Sequence, residues 1–126
     1  MRLLTIFVFL FISPIIHAEN AAIGNHVEAE INMLTVQVEH LESAVRLIQS
    51  GLRPEERYER IAQPVFNAVD RSLSQSGLTL QSFYQFKERY QRAIDTWLKK
   101  HTAEASKLKQ LRAKRDNLTR ILDGAN

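Results

Sequence analysis

The chain has 126 residues, 17 lysines and arginines against 14 acids for a net charge of +3, and no cysteine. That excludes thiol catalysis, disulfide stapling and cysteine-built metal sites, and the length is that of one small domain. A secreted animal domain of this size would often carry disulfides, so a bacterial periplasm or exterior fits the composition better.

Met1-Arg2 is a short positive start, Leu3 to Ile12 is apolar apart from Thr5, Ser13-Pro14 interrupts the run and His17-Ala18 ends it on a small residue. This is the layout of a signal peptide cut after Ala18. A membrane span would need about 20 apolar residues, and this run is shorter. The expected organisation is a leader over 1–18 and a single α-helical domain over 19–126, periplasmic or secreted and soluble after cleavage.

Charge is unevenly distributed. Residues 19–70 hold nine acids against four arginines, and residues 71–126 hold twelve bases against five acids. The halves are complementary, and internal pairing between an acidic first helix and a basic last helix is favoured over an external anionic partner.

After a ragged entry with Asn25 as N-cap, Val27, Ile31, Leu34, Val38, Leu41, Val45, Ile48 and Leu52 recur at alternating spacings of four and three. This predicts a helix over 26–50 with a heptad seam roughly 35 Å long, too much apolar stripe to leave in water. Met33, Val36 and Leu47 widen the stripe, so at least two neighbouring helices are expected. Gly51 suits the position just past the helix end, and Pro54 with Glu55 and Glu56 opens a second helix over 54–75. Tyr58, Ile61, Val65, Val69 and Leu73 line one face of it, and Pro64 predicts a kink near 64 by removing a donor and crowding the Arg60 carbonyl.

Thr79 is the expected N-cap of the next segment, where Leu80, Phe83, Phe86, Tyr90, Ile94, Trp97 and Leu98 place the aromatic mass at core spacing. From Leu80 to Asp123 there is no Gly and no Pro. One helix over 79–122 is therefore favoured, the alternative being a break near 101 with Thr102 capping a further helix. The fold expected is all-α: a small antiparallel helical bundle or long helical hairpin of three to four helices, with the first and last helices paired antiparallel on charge.

No catalytic constellation stands out. His26 has Glu30 one turn on and His101 has Glu104, pairings common on charged helices, so no metal and no cofactor is expected. Gly-rich phosphate loops, nucleophile elbows and paired-histidine zinc motifs are missing. The functional expectation is an exported non-enzymatic helical protein acting through protein–protein interaction as an adaptor, chaperone-like holder or inhibitor. Its partner would be another envelope or secreted protein, with homo-oligomerisation through the same stripe a further option. The competing reading is a peripheral binder of anionic envelope lipid or polymer. The residues singled out for interaction are Lys99, Lys100, Lys107, Lys109, Arg112, Lys114 and Arg115. They are dense enough to attract polyanions. Nucleic acid is not expected as a partner in the compartment that a signal peptide implies.

Overall fold

The computed structural model describes residues 2–125, with side chains from Glu19 to Ala125; the leader expected at 1–18 lies outside the fully described residues. Five α-helices and no strand occur among the described residues: α1 (Arg2–Gln49), α2 (Gln63–Gln75), α3 (Leu80–Arg89), α4 (Gln91–Lys100) and α5 (Thr102–Gly124). None of the described helices is long and apolar enough to cross a membrane.

The two glycines that end α1 and α2 do the same work. Gly51 (φ 96°) and Gly77 (φ 73°) occupy the left-handed region. Leu52 N–H donates to the Leu47 carbonyl and Gly51 N–H to that of Ile48, and the same 6→1 and 5→2 bonds link Leu78 to Leu73 and Gly77 to Ser74. Both ends are thus Schellman motifs, which satisfy carbonyls that the helix leaves open and turn the chain sharply. Thr79 caps α3 as expected, in a reciprocal box: its hydroxyl accepts from Ser82 N–H, and the Ser82 hydroxyl accepts from Thr79 N–H.

Between Gly51 and α2 the chain forms a 3-10 turn (Pro54–Glu56) and a π-helical turn (Tyr58–Ala62). Gln63 N–H reaches back five residues to the Tyr58 carbonyl. The expected disturbance at Pro64 therefore takes the form of a wider turn just ahead of the ring, which accommodates one extra residue without abandoning the helix.

Chain direction is set by packing. Val65 lies with Val38 and Leu41, while Leu73 lies with Met33 and Leu34, so α2 runs back along α1. Leu108 clusters with Ile23 and Val27, Leu118 with Val38 and Leu41, and Arg57 donates to the Ala125 carbonyl beyond the far end of α1. α5 consequently runs parallel to α1, not antiparallel as charge alone suggests. Ion pairs form in either direction as long as opposite charges face each other, so they carry no sense of polarity. The direction follows from the number of reversals: α2 returns along α1, α3 and α4 carry the chain on to the Ile23 end, and the last helix must run out again.

The favoured single helix over 79–122 is three helices. At Tyr90 (φ −111°, ψ 23°) the chain bends while Tyr90 N–H and Ile94 N–H keep helix-like bonds to Phe86 and Tyr90. At His101 (φ −123°, ψ 71°) it breaks. There the imidazole Nδ1–H donates to the Trp97 carbonyl at 2.8 Å, while His101 N–H goes to Leu98. The same imidazole-to-carbonyl bond joins His40 to Val36 inside the unbroken α1, so the bond accompanies the break at His101 without causing it.

The heptad stripe of α1 is covered within one chain from Val27 to Leu41, while Val45, Ile48 and Leu52 at its end stay half-buried. Val27, Leu34, Val38 and Leu41 are buried against α2, α3 and α5, joined by Ile23, Met33 and Ala44. Asn25 does not start a helix, since α1 passes through it.

Candidate functional site

The basic residues singled out from the sequence divide into two sets. Lys99 and Lys100 are exposed in the last turn of α4, and Lys107 and Lys109 are exposed on α5. The remaining three are engaged. Arg112 donates to Glu30 at 2.7 Å, Lys114 pairs with Glu42 at 2.6 Å, and Arg115 pairs with its neighbour Asp116 at 3.0 Å. Two of these bonds tie α5 to α1, which is the internal use of the charge asymmetry. Lys114 donates a hydrogen bond that, with its charge, holds the Glu42 carboxyl below the usual range.

Glu30 is the centre of a buried polar cluster that the sequence did not single out. It is only 2% exposed, yet it is a carboxylate. Lys87 from α3 and Arg112 from α5 both donate to Oε1, at 3.0 and 2.7 Å. Burial alone would push this carboxyl up, but the two hydrogen bonds and the two positive charges outweigh it and hold it below its ordinary value. One turn earlier His26 is buried too, its ring stacked on Phe83 (4.5 Å) and Phe86 (4.8 Å) of α3. Neither His26 Nε2 nor Glu30 Oε2 has a hydrogen-bond partner among the described residues. Three helices thus meet at two titratable groups of α1.

His26 is held below its ordinary 6.5, first by burial and then by the Lys87 charge, against the opposing pull of Glu30. A proton is therefore taken up more readily by the unfolded chain, so this contribution is intact above pH 6.5 and erodes as pH falls through it. Glu30, lowered from 4.5, acts in the same direction further down: its stabilisation is present above 4.5 and is lost below. Urea midpoints measured from about pH 2 to pH 8 are expected to decline in two stages on acidification. His26→Phe should abolish the upper stage and leave the lower one; an unchanged upper stage would contradict the assignment.

The exposed apolar surface lies elsewhere. Tyr58, Phe66 and Tyr84 are 71, 60 and 53% exposed, large values for aromatic side chains. Tyr58 was expected to lie in the α2 stripe, but it belongs to the π turn, where the widened spacing swings it out of phase with Ile61 and Val65. Phe66 and Tyr84 flank an open groove of about 420 Å3 between α1, α2 and α3, floored by Met33, Leu41, Val65 and Val69. Arg115 of α5 closes one side of it.

This groove offers apolar area and one cation but no paired acid and base. Among the described residues no group of three or more His, Asp or Glu side chains is placed to hold a metal ion. Comparison with protein-family models, with curated proteins and with solved structures finds no match for this chain.

Proposed function

We propose that this is an exported, non-enzymatic helical interaction module, and that it receives an apolar segment of another envelope or secreted protein in the groove beside Phe66 and Tyr84. The observation that carries this reading is the pair of exposed aromatic side chains, Phe66 and Tyr84, beside an apolar groove on a bundle that already covers most of the α1 stripe internally. Exposed aromatics beside a preformed apolar groove supply large contact area at small ordering cost, the usual makings of an interaction hot spot. Export is supported by the leader-like first eighteen residues.

A photo-crosslinking amino acid placed at Phe66, in the cell that makes the protein, is expected to capture one discrete partner. The same probe at exposed Asp95 of α4 should not. Equal capture at both positions, or none at Phe66, would overturn the groove as the interaction surface. A second reading, contact with an anionic envelope surface, is supported by Lys99, Lys100, Lys107 and Lys109, which are exposed and have no ion-pair partner among the described residues. It predicts association that disappears between low and high salt, whereas groove binding should persist.

A further inference from the structure

α4 carries two neighbouring rows at helical spacing: Arg92, Thr96 and Lys100, and beside them Ala93, Trp97 and, at the cap, His101. The second row faces α1. Trp97 lies against Gly24, where an added Cβ would stand 3.4 Å from the ring, and His101 stacks on the indole at 3.5 Å with the planes only 7° apart. The indole is thus fixed in place by its neighbours. Next to it, between α4 and the Glu19 to Ile23 turn of α1, is an open cavity of about 470 Å3.

The polar lining of this cavity is dominated by donors. Arg92 and Lys100 are both exposed, and among the described residues neither forms an ion pair. The Trp97 indole N–H has no hydrogen-bond partner among those residues, and Asn20 adds an amide. The one acid in the lining is Glu19, itself exposed. Arg92 and Lys100 are two turns apart, about 12 Å along the helix, within reach of a common point for two such long side chains. A fork-shaped guanidinium and a point-charge ammonium beside one opening match the two charges of a phosphate monoester better than the single charge of a carboxylate.

We propose that this cavity binds a phosphate ester, held by Arg92 and Lys100 with the Trp97 N–H as an orienting donor, while Ile23 and Ala93 line the path of the group attached to it. The ester is either that of a free solute or that of a lipid headgroup. This site is separate from the aromatic groove and does not depend on its role.

Trp97 is the only tryptophan in the chain, so its fluorescence reports the site directly. Titrations at constant ionic strength and pH would use glycerol phosphate, acetate, and vesicles of phosphatidic acid or phosphatidylcholine. A saturable change is expected with glycerol phosphate or with phosphatidic acid vesicles, whose phosphates are both monoesters, and not with acetate or phosphatidylcholine. A response to glycerol phosphate assigns a free solute, and a response to phosphatidic acid vesicles alone assigns a headgroup. Arg92→Ala and Lys100→Ala should each weaken binding about tenfold, the usual loss for one hydrogen bond to a charged group. Arg120→Ala, at an exposed position of α5 outside the cavity, should leave it unchanged. Far-ultraviolet circular dichroism of each variant would verify that the helices remain. No saturable change with either phosphate source, a change of equal size with acetate, or equal weakening by Arg120→Ala would overturn the proposal.

Discussion

Replacing Phe83 by alanine is expected to remove about 4 kcal/mol of stability, the upper range for an aromatic side chain deleted from a packed core. Phe83 is 0% exposed, stacks on His26 at 4.5 Å and meets Tyr84 edge-on at 5.2 Å. It belongs to the same cluster as Leu34 and Leu73, so the cavity left behind would be lined by three helices that cannot all close in at once. Small domains are stable by only about 5 to 15 kcal/mol, and this single change therefore approaches the threshold of unfolding. Urea denaturation is the measurement, with Phe66→Ala as the comparison. Phe66 is largely exposed, and its loss should shift stability by less than about 0.5 kcal/mol. Similar effects at the two positions would mean that α3 is not seated as described.

Glu30→Ala is expected to cost about 2 to 3 kcal/mol. Breaking a buried ion pair by removing one partner typically costs about 3 to 5 kcal/mol, because the remaining charge is stranded. Here the figure is reduced because Lys87 and Arg112 are each about one-third exposed and can turn toward water, at 34 and 37% of their side-chain surface. The stronger test is a double-mutant cycle. With Arg112→Ala already made, Glu30→Ala should cost at least about 1 kcal/mol less than it does alone, which is the coupling between the two residues. Additive losses would show that Arg112 does not depend on Glu30, leaving the Lys114–Glu42 pair and the packing of Leu108 and Leu118 to hold α5 to α1.

The two predictions concern one place in the molecule. Glu30 and His26 lie one turn apart on α1, Lys87 and Phe83 one turn apart on α3, and Arg112 one turn beyond Leu108 on α5. Apolar and polar contacts are thus interleaved along the same helix faces. Polar groups so placed cost more to misalign than apolar ones, since a buried carboxylate has few acceptable partners, and this fixes the relative sliding of the three helices.

Local chemistry was largely legible in the residues themselves. The α1 seam, the glycine just past its end, the Thr79 cap and the disturbance before Pro64 all follow from short-range rules: a period of 3.6, the missing Cβ of glycine, a hydroxyl reaching an open N–H, a ring without a donor. The charge asymmetry between the halves likewise announced that Arg112 and Lys114 could serve α1. Those rules act over a few residues, which is why reading the chain in order recovers them.

What only the tertiary structure decided is longer in range. The break at His101 occurs where neither Gly nor Pro signals it, with the imidazole stacked on Trp97. The burial of Glu30 and His26 arises because α3 and α5 arrive from 57 and 82 residues away to cover them. The exposure of Tyr58 depends on a π turn that rotates one residue out of the stripe. The parallel course of α5 is set by how many times the chain doubles back, a property of the whole path rather than of any segment. Hydrophobic spacing and charge sign state that helices will meet; only the packed chain states which way they run and which polar groups they enclose.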